Sequence, residues 1–376
     1  MGFMMLIKFE VENFKNFNEK FVFDLSNVKN YEFNESCINN GLVNKALIYG
    51  PNGSGKSNLG FAIFDIISHI TDNHDNKAFY RNFLNAENSM DTIAIFKYHI
   101  RINSNDIIYE YAKKTHEKLI YEKLFINKKL VISYNRESDR NATVLLAGAE
   151  NLNTDLKETS LSIIKYVKSN TILDENAENE TFLAFLDFIN GMVYFKSLEG
   201  QWHSYIGQEI TQNRVSEGIL EENLLDDFEN FLNAAGVECK LTKLNRDGED
   251  FIAFKYRNRK IEYAQAASTG TMSLGHFFYW LQKLKKNLVS FIYMDEFDAY
   301  YHHNLSKLII NEIKQSSSQS ILTTHNTSIM TNDLLRPDCY FILDNNKINP
   351  IFKFTDKELR KAHNIEKMYK AGAFNA

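Results

Sequence analysis

The chain has 376 residues, a formal net charge of −5, and 44% hydrophobic and 24% charged residues. This is an ordinary globular balance with room for one large domain or two modest ones, and no global case for nucleic-acid binding, although a local basic patch stays open. The three cysteines, Cys37, Cys239 and Cys339, have neither metal-ligand spacing nor a disulfide framework, which points to a reducing, cytoplasmic compartment, and no apolar run approaches the ~20 residues that span a bilayer.

The first residues, Met1-Gly2-Phe3-Met4-Met5-Leu6, run straight into Lys8 and Glu10, so no signal peptide is expected. Leu6 stands where a myristoylation signal wants Ser or Thr. Residues Leu6 to Val11 and Lys20 to Leu25 alternate apolar with polar across a turn-rich link, which predicts a hairpin. Lys45-Ala46-Leu47-Ile48-Tyr49 reads as a short buried strand. Asn58 to Ile70 carries an apolar stripe at Leu59, Ile63, Ile66, Ile67 and Ile70 and reads as one helix. Asp72 to Met90 is polar and loop-like. A strand meander follows over Ile93–Ile102, Ile107–Lys113, Ile120–Ile126 and Leu130–Tyr134, with Asn-rich turns between. The abundance of Asn and Lys is read as coding bias rather than function. From about Asn141 to Asn245 the pattern turns helical, with helices expected over Asn153–Ser169, Glu180–Asn190 and Leu220–Ala235 and no sustained heptads. Phe251 to Tyr263 returns to alternation. Then come a helix at Thr271–Leu284, a continuous apolar strand at Val289–Met294 of the kind buried in a parallel sheet, a helix at Leu305–Ile313, a strand at Ser320–Thr324 and a strand around Tyr340–Leu343.

Between the strand at Lys45–Tyr49 and the helix after it stands Gly50-Pro51-Asn52-Gly53-Ser54-Gly55-Lys56-Ser57, which has the spacing G-x-x-x-x-G-K-[ST] of a phosphate-binding loop. Its glycines allow a tight turn whose N–H groups face phosphate oxygens, and the helix that follows presents its positive end to an anion. Lys56 is placed to reach the outer phosphates and the Ser57 hydroxyl to bind Mg²⁺. A second acidic element is needed, and the strand through Met294 ends in Asp295-Glu296, at the sheet edge where ligands gather. Asp295 is assigned to the metal and Glu296 to the proton of the attacking water. The strand Ile321-Leu322-Thr323-Thr324 ends at His325, which is placed to reach the γ-phosphate. Ser268-Thr269-Gly270-Thr271 opens a helix and is either a further anion site or an ordinary cap by Ser268 or Thr271. Lys255, Arg257, Arg259 and Lys260 alternate with Phe254 and Tyr256. They form either a phosphate-backbone track or, the preferred reading, a charged strand edge. His302-His303 with His325 are not read as a metal site.

These residues resemble the ABC-type ATPases, in the branch of the RecF and SMC ATPases and of OLD-like phage-defence and abortive-infection proteins (the AAA15/AAA21 type). The likeness rests on the phosphate loop, on Asp295-Glu296 with His302 downstream, and on Asn13-Phe14-Lys15-Asn16-Phe17. It rests also on the meander with Tyr109-Glu110-Tyr111 and Glu122-Lys123-Leu124, and on the ending Glu366-Lys367-Met368-Tyr369-Lys370-Ala371-Gly372. The middle, about 141–250, hardly shares it. The resemblance implies an α/β ABC-type P-loop ATPase head, a mixed sheet plus an antiparallel meander, with an inserted helical lobe. The head is divided into 1–140 and 251–376 around the insertion at 141–250. ATP and Mg²⁺ are the implied cofactors. Gly50, Asn52, Gly53, Ser54, Gly55, Lys56, Ser57 and Asn58 would hold the nucleotide of one copy, and Ser268 and Gly270, as the signature motif, would contact it from the other. Ser57 and Asp295 would hold the metal, and Lys56, Glu296 and His325 would be catalytic. No Gln is assigned to a Q-loop, and His302 stands where the family has a D-loop Asp. About fifty residues follow His325, too few for a Toprim nuclease. The expectation is therefore an ATP-dependent homodimer, or multiples of it, acting through a separate toxin or nuclease as the sensor of an anti-phage system. The alternative is a RecF-like clamp on duplex DNA.

Overall fold

The computed structural model describes residues 2–71, 80–89, 92–156, 161–196, 204–207, 215–301 and 303–374. His302, part of the loop expected over Asp72–Met90, and part of the helix expected over Asn153–Ser169 lie outside them. Among the described residues the polypeptide builds two seven-stranded sheets, a three-stranded one and a two-stranded one at Ile38–Asn39 and Leu42–Val43. The first is antiparallel and takes in the N-terminal hairpin, Met4–Glu12 with Phe21–Asp24, and the meander Ala94–Ile102, Asn105–Lys113, Leu119–Ile126 and Lys129–Asn135, closed by Thr143–Val144. The second runs in the order Ser204–Gly207, Met192–Lys196, Phe291–Asp295, Gln319–Thr324, Lys45–Tyr49, Tyr340–Asp344, Lys347–Pro350. Its five inner strands are parallel and its two edge pairs antiparallel. The expected mixed sheet and antiparallel meander are both present.

The phosphate-loop helix, Lys56–Phe64, is the slab between the sheets. On one side Gly60 lies so close to the rings of Tyr194 and Tyr293 that a Cβ would meet them at 2.6 and 2.9 Å, and the Tyr293 hydroxyl donates to Lys56 O at 2.7 Å. On the other side the Tyr98 hydroxyl from the meander donates to Ala62 O and Ile63 O, each at 3.0 Å. Those carbonyls are turned toward Tyr98. The helix expected to run to Ile70 therefore breaks after Phe64 and resumes as one turn at Ile67–Ile70. Asp65, in the break, is buried and pairs with Lys113 at 2.7 Å and with the Tyr111 hydroxyl at 2.8 Å. A separate tie joins the sheets through Gln319, whose amide accepts from Leu6 N–H at 2.8 Å and donates to Leu6 O and Val43 O at 2.9 Å. Ile7 forms a bulge at that point, so the Leu6 groups face Gln319 and not the neighbouring strand.

The span expected to be helical also carries strands, at Thr143–Val144, Met192–Lys196, Ser204–Gly207 and Leu241–Arg246, and of the helix expected over Asn153–Ser169 the described residues before Ile163 are not helical. Helices stand at Ile163–Asn170, Ala177–Asn190, Val215–Glu221 and Leu225–Ala234, but Met192–Lys196 is a strand that pairs in parallel with Phe291–Asp295. Five residues with one polar end carry no period of their own, and only pairing with the apolar strand beside them makes them a strand. The helix expected over Leu220–Ala235 is two, because Asn223 takes a left-handed conformation, φ +57°, that interrupts the helix. The alternating stretch Phe251–Tyr263 is likewise two strands, Glu249–Lys255 and Lys260–Glu262. A turn closed by Tyr256 N–H to Arg259 O at 2.9 Å separates them. Arg257 and Arg259 therefore sit on an exposed turn and not on a strand face. Asparagine supplies ten of the fourteen described non-glycine residues with positive φ, because its short amide tolerates that conformation.

Burial on its own would raise the Asp65 carboxyl, but Lys113 and His116 outweigh it and hold it down at about 2. Removing one member of a fully buried pair leaves an uncompensated charge. Lys113→Met is expected to cost about 3–5 kcal/mol at neutral pH. Because the folded carboxyl titrates below its unfolded value, the pair's contribution is complete above pH ~4 and is lost as pH falls toward 2. Denaturant unfolding of wild type and variant over that range is the check, and the gap between them should narrow as the pH drops.

Candidate active site

Ser57, Asp295, Glu296 and His325 come together at the C-terminal ends of the parallel strands. The strand Lys45–Tyr49 delivers the loop, whose turn is made by Gly53 and Gly55 at φ +77° and +103°. Gly55 is the helix N-cap. No other residue type fits there, because a Cβ would also meet the Asn16 amide nitrogen at 2.5 Å. Gly50 is buried against Leu343 O, and Asn52 and Gly53 are exposed at the mouth of the loop. Lys56 is buried and folds back over the loop, donating to Gly50 O at 2.8 Å and Pro51 O at 3.2 Å. Burial lowers its ammonium pKa, opposed by Asp295 and Glu296.

The Asp295 carboxylate is fully buried at the end of its strand. Its Oδ2 accepts from Ser57 Oγ at 2.5 Å and from the Tyr194 hydroxyl at 3.3 Å, and its Oδ1 from Thr323 Oγ1 at 2.7 Å. Glu296 is left-handed, with φ +50°, an uncommon conformation for a residue of this shape. Its N–H donates to Thr323 Oγ1 at 2.8 Å. Its carboxylate is half-buried and stands 3.6 Å from His325 Nε2. Asp298, on the same turn, accepts from Thr324 Oγ1 at 2.7 and 2.8 Å, and burial raises its carboxyl against that bond.

These residues suit a nucleotide and a hard divalent cation. The Ser54 hydroxyl oxygen is buried without a hydrogen bond among the described residues. Within Asn52–Ser57 only the Ser54 N–H makes a backbone bond among them, to Pro51 O at 3.2 Å. The remaining N–H groups of the loop are open to an anion, and a hydroxyl beside a carboxylate is the oxygen donor set that Mg²⁺ takes.

Ser268 and Gly270 lie apart from this group. Ser268 is exposed and caps the helix Thr269–Lys285, accepting from Thr271 N–H at 3.2 Å. A Cβ on Gly270 would face Tyr300 at 3.6 Å. Among the described residues no hydrogen bond joins either to the loop of the same chain.

Sequence reasoning missed four contributors. Asn16 and Asn346 bond reciprocally, side chain to side chain at 2.8 Å and Asn346 Nδ2 to Asn16 O at 2.8 Å, while Asn58 Nδ2 donates to Asn16 Oδ1 at 2.6 Å. This asparagine clasp holds the loop helix between the N-terminal turn and the hairpin turn after Tyr340–Asp344. The Asn-Asn pair at a hairpin is a turn signal, but nothing in it says what the turn touches. Thr323 was visible as a polar residue in a buried strand. Tyr194 was not, because its strand read as part of a helical span.

A protein-family model described as "AAA domain, putative AbiEii toxin, Type IV TA system" matches residues 45–331. The chain belongs to that family. The match begins on the phosphate-loop strand and ends just past His325, so it takes in the whole cluster around Asp295. Among solved structures the chain is similar to an Smc head bound to the C-terminal winged-helix domain of ScpA, with 16% identity, 92% of this chain and 96% of that one covered, and a TM-score of 0.47. It is similar to the SMC head domain from Thermotoga maritima, with 16% identity, 92% and 98% covered, and a TM-score of 0.43. It is similar also to RecF with ATP from the RecFOR pathway, with 12% identity, 93% and 100% covered, and a TM-score of 0.43. No curated protein matches the chain. Among the described residues no helix is long and apolar enough to cross a membrane.

Gly55→Ala forces a side chain into a left-handed position and onto Asn16. The strain is expected to cost about 1–3 kcal/mol and to abolish binding of a fluorescent ADP analogue. Thermal unfolding and a binding titration on the same variant check both.

Proposed function

We propose that the protein is a switch ATPase that binds Mg²⁺ and ATP in this cluster, hydrolyses ATP, and works as a pair of copies closed over the nucleotide. The observation that carries the reading is the meeting of Ser57, Asp295, Glu296 and His325, drawn from three segments of the family's matched region. ATP bound there supplies the phosphoanhydride bond to be cleaved. Lys56 leaves the Gly50 and Pro51 carbonyls to neutralise phosphate charge, and the loop N–H groups of residues 52–58 orient it. Ser57 Oγ and Asp295 Oδ2, already in contact, hold the metal. Glu296 takes the proton of the attacking water at its carboxylate, and His325, close to Oε1, orients that carboxylate and reaches the γ-phosphate.

The exposed Ser268 and the neighbouring Gly270 find no phosphate loop in their own chain, which supports their use against the loop of a second copy. Differential affinity for the closed pair would then turn nucleotide binding into a conformational signal. The family's description names a toxin and a toxin–antitoxin system, which supports a regulator that holds or releases a separate toxin or nuclease in prokaryotic anti-phage defence. A second reading, an ATPase that clamps DNA, draws on the exposed basic turn of Lys255, Arg257, Arg259 and Lys260. It requires turnover stimulated by duplex DNA and steeply weakened by salt.

The deciding experiment is light scattering of Glu296→Gln with and without ATP and Mg²⁺. Nucleotide should shift the mass from monomer to dimer and remain bound, while Lys56→Ala should show neither effect. An ATP-independent mass would place the interface elsewhere, and absence of nucleotide binding would refute the reading.

A further inference from the structure

We infer that Thr323 is the positioning residue that sets both catalytic carboxylates, an inference that rests on the ATPase reading above. Its hydroxyl is fully buried and is used twice in fixed directions. The proton goes to Asp295 Oδ1 at 2.7 Å, and a lone pair accepts the Glu296 N–H at 2.8 Å. The two bonds have different consequences. Fixing Oδ1 turns the other oxygen, Oδ2, toward Ser57 Oγ and so presents the pair that would hold the metal. Holding the Glu296 N–H, together with Phe297 N–H to Thr323 O at 3.2 Å, keeps Glu296 in its left-handed conformation, from which its carboxylate meets His325. A residue of this shape is strained at φ +50° unless its surroundings impose that conformation, and Thr323 imposes it from the adjacent parallel strand.

His325 lies two residues beyond Thr323 on the same chain segment, and Thr324 between them is tied to Asp298. The end of this strand therefore holds the acidic turn at four successive residues, Asp295, Glu296, Phe297 and Asp298. Thr323→Val keeps the volume and removes both bonds. It leaves a buried carboxylate oxygen and a half-buried N–H without their Thr323 partner, and frees Glu296 to leave the left-handed region.

The test compares wild type, Thr323→Val, Thr323→Ser and Glu296→Gln in steady-state ATP turnover. It also compares their affinity for a fluorescent ADP analogue over a Mg²⁺ titration, and their melting temperatures. Loss of a group that orients a ligand-bearing carboxylate should lower kcat roughly 10–100-fold and raise the Mg²⁺ concentration needed. KM and metal-free nucleotide affinity should stay within about threefold, the signature of an interaction made mainly in the transition state. Thr323→Ser, which keeps the hydroxyl, should recover most of the rate. Turnover in Thr323→Val equal to wild type overturns the inference. So does a loss of rate that is matched by equal losses of nucleotide affinity and melting temperature and is not rescued by serine. If Thr323→Val does not fold, Thr323→Cys, a weak donor of similar size, is judged by the same criteria. Wild-type protein that binds nucleotide but never turns it over overturns the ATPase reading and this inference with it. Turnover that is lost in Glu296→Gln and intact in Thr323→Val overturns this inference alone.

Discussion

A carboxylate taken fully out of water is tolerated only when donors replace its hydration, and Asp295 finds them in three hydroxyls from three separate parts of the chain: Ser57, Tyr194 and Thr323. Each donor is held by the secondary structure that delivers it. Ser57 stands in the first turn of the phosphate-loop helix, Tyr194 on one neighbouring strand and Thr323 on the other. The loop, the acidic turn and the strand ending at His325 all meet at this joint. A low-dielectric setting makes the loss of such a bond costly, most of all for the two shorter ones, from Ser57 and Thr323.

The rest of the fold keeps the phosphate-loop helix still against that joint. Tyr98 reaches across from the antiparallel sheet to the helix carbonyls, and Asp65, Lys113 and Tyr111 anchor the break that follows. Gln319 ties the parallel sheet to the N-terminal strand through backbone groups that the bulge at Ile7 leaves without a strand partner. The asparagine clasp of Asn16, Asn58 and Asn346 holds the same helix from its open end. Polar contacts thus position the helix from both ends, while aromatic rings such as Phe96 and Tyr111, stacked at 5.0 Å, fill the space between the sheets.

The backbone places its strain selectively. Asparagine and glycine absorb nearly all the left-handed positions at turns, where they cost little. Glu296 carries a left-handed conformation at the point where the acidic turn meets His325. Strain stored in a residue that would do the chemistry, and held there by Thr323, is what preorganisation requires.

What the sequence determined by itself was local chemistry. The strand Lys45–Tyr49 is as expected to the residue, because five buried residues before a glycine turn admit one reading. The loop follows from its glycines, of which Gly53 and Gly55 take positive φ, and Asp295, Glu296 and His325 stand at the ends of apolar strands, as their places in the sequence suggest. The antiparallel meander was legible because alternation with period two and Asn turns are properties of neighbours in sequence. Tertiary structure decided everything that depends on pairing between distant segments. Met192–Lys196 becomes a strand only beside Phe291–Asp295, the first helix breaks only because Tyr98 takes its carbonyls, and Ser57, Tyr194 and Thr323 share one carboxylate only after four parallel strands have aligned. Such contacts join residues 28 to 238 positions apart, and no periodicity in a single chain encodes which distant hydroxyl a buried carboxylate will find.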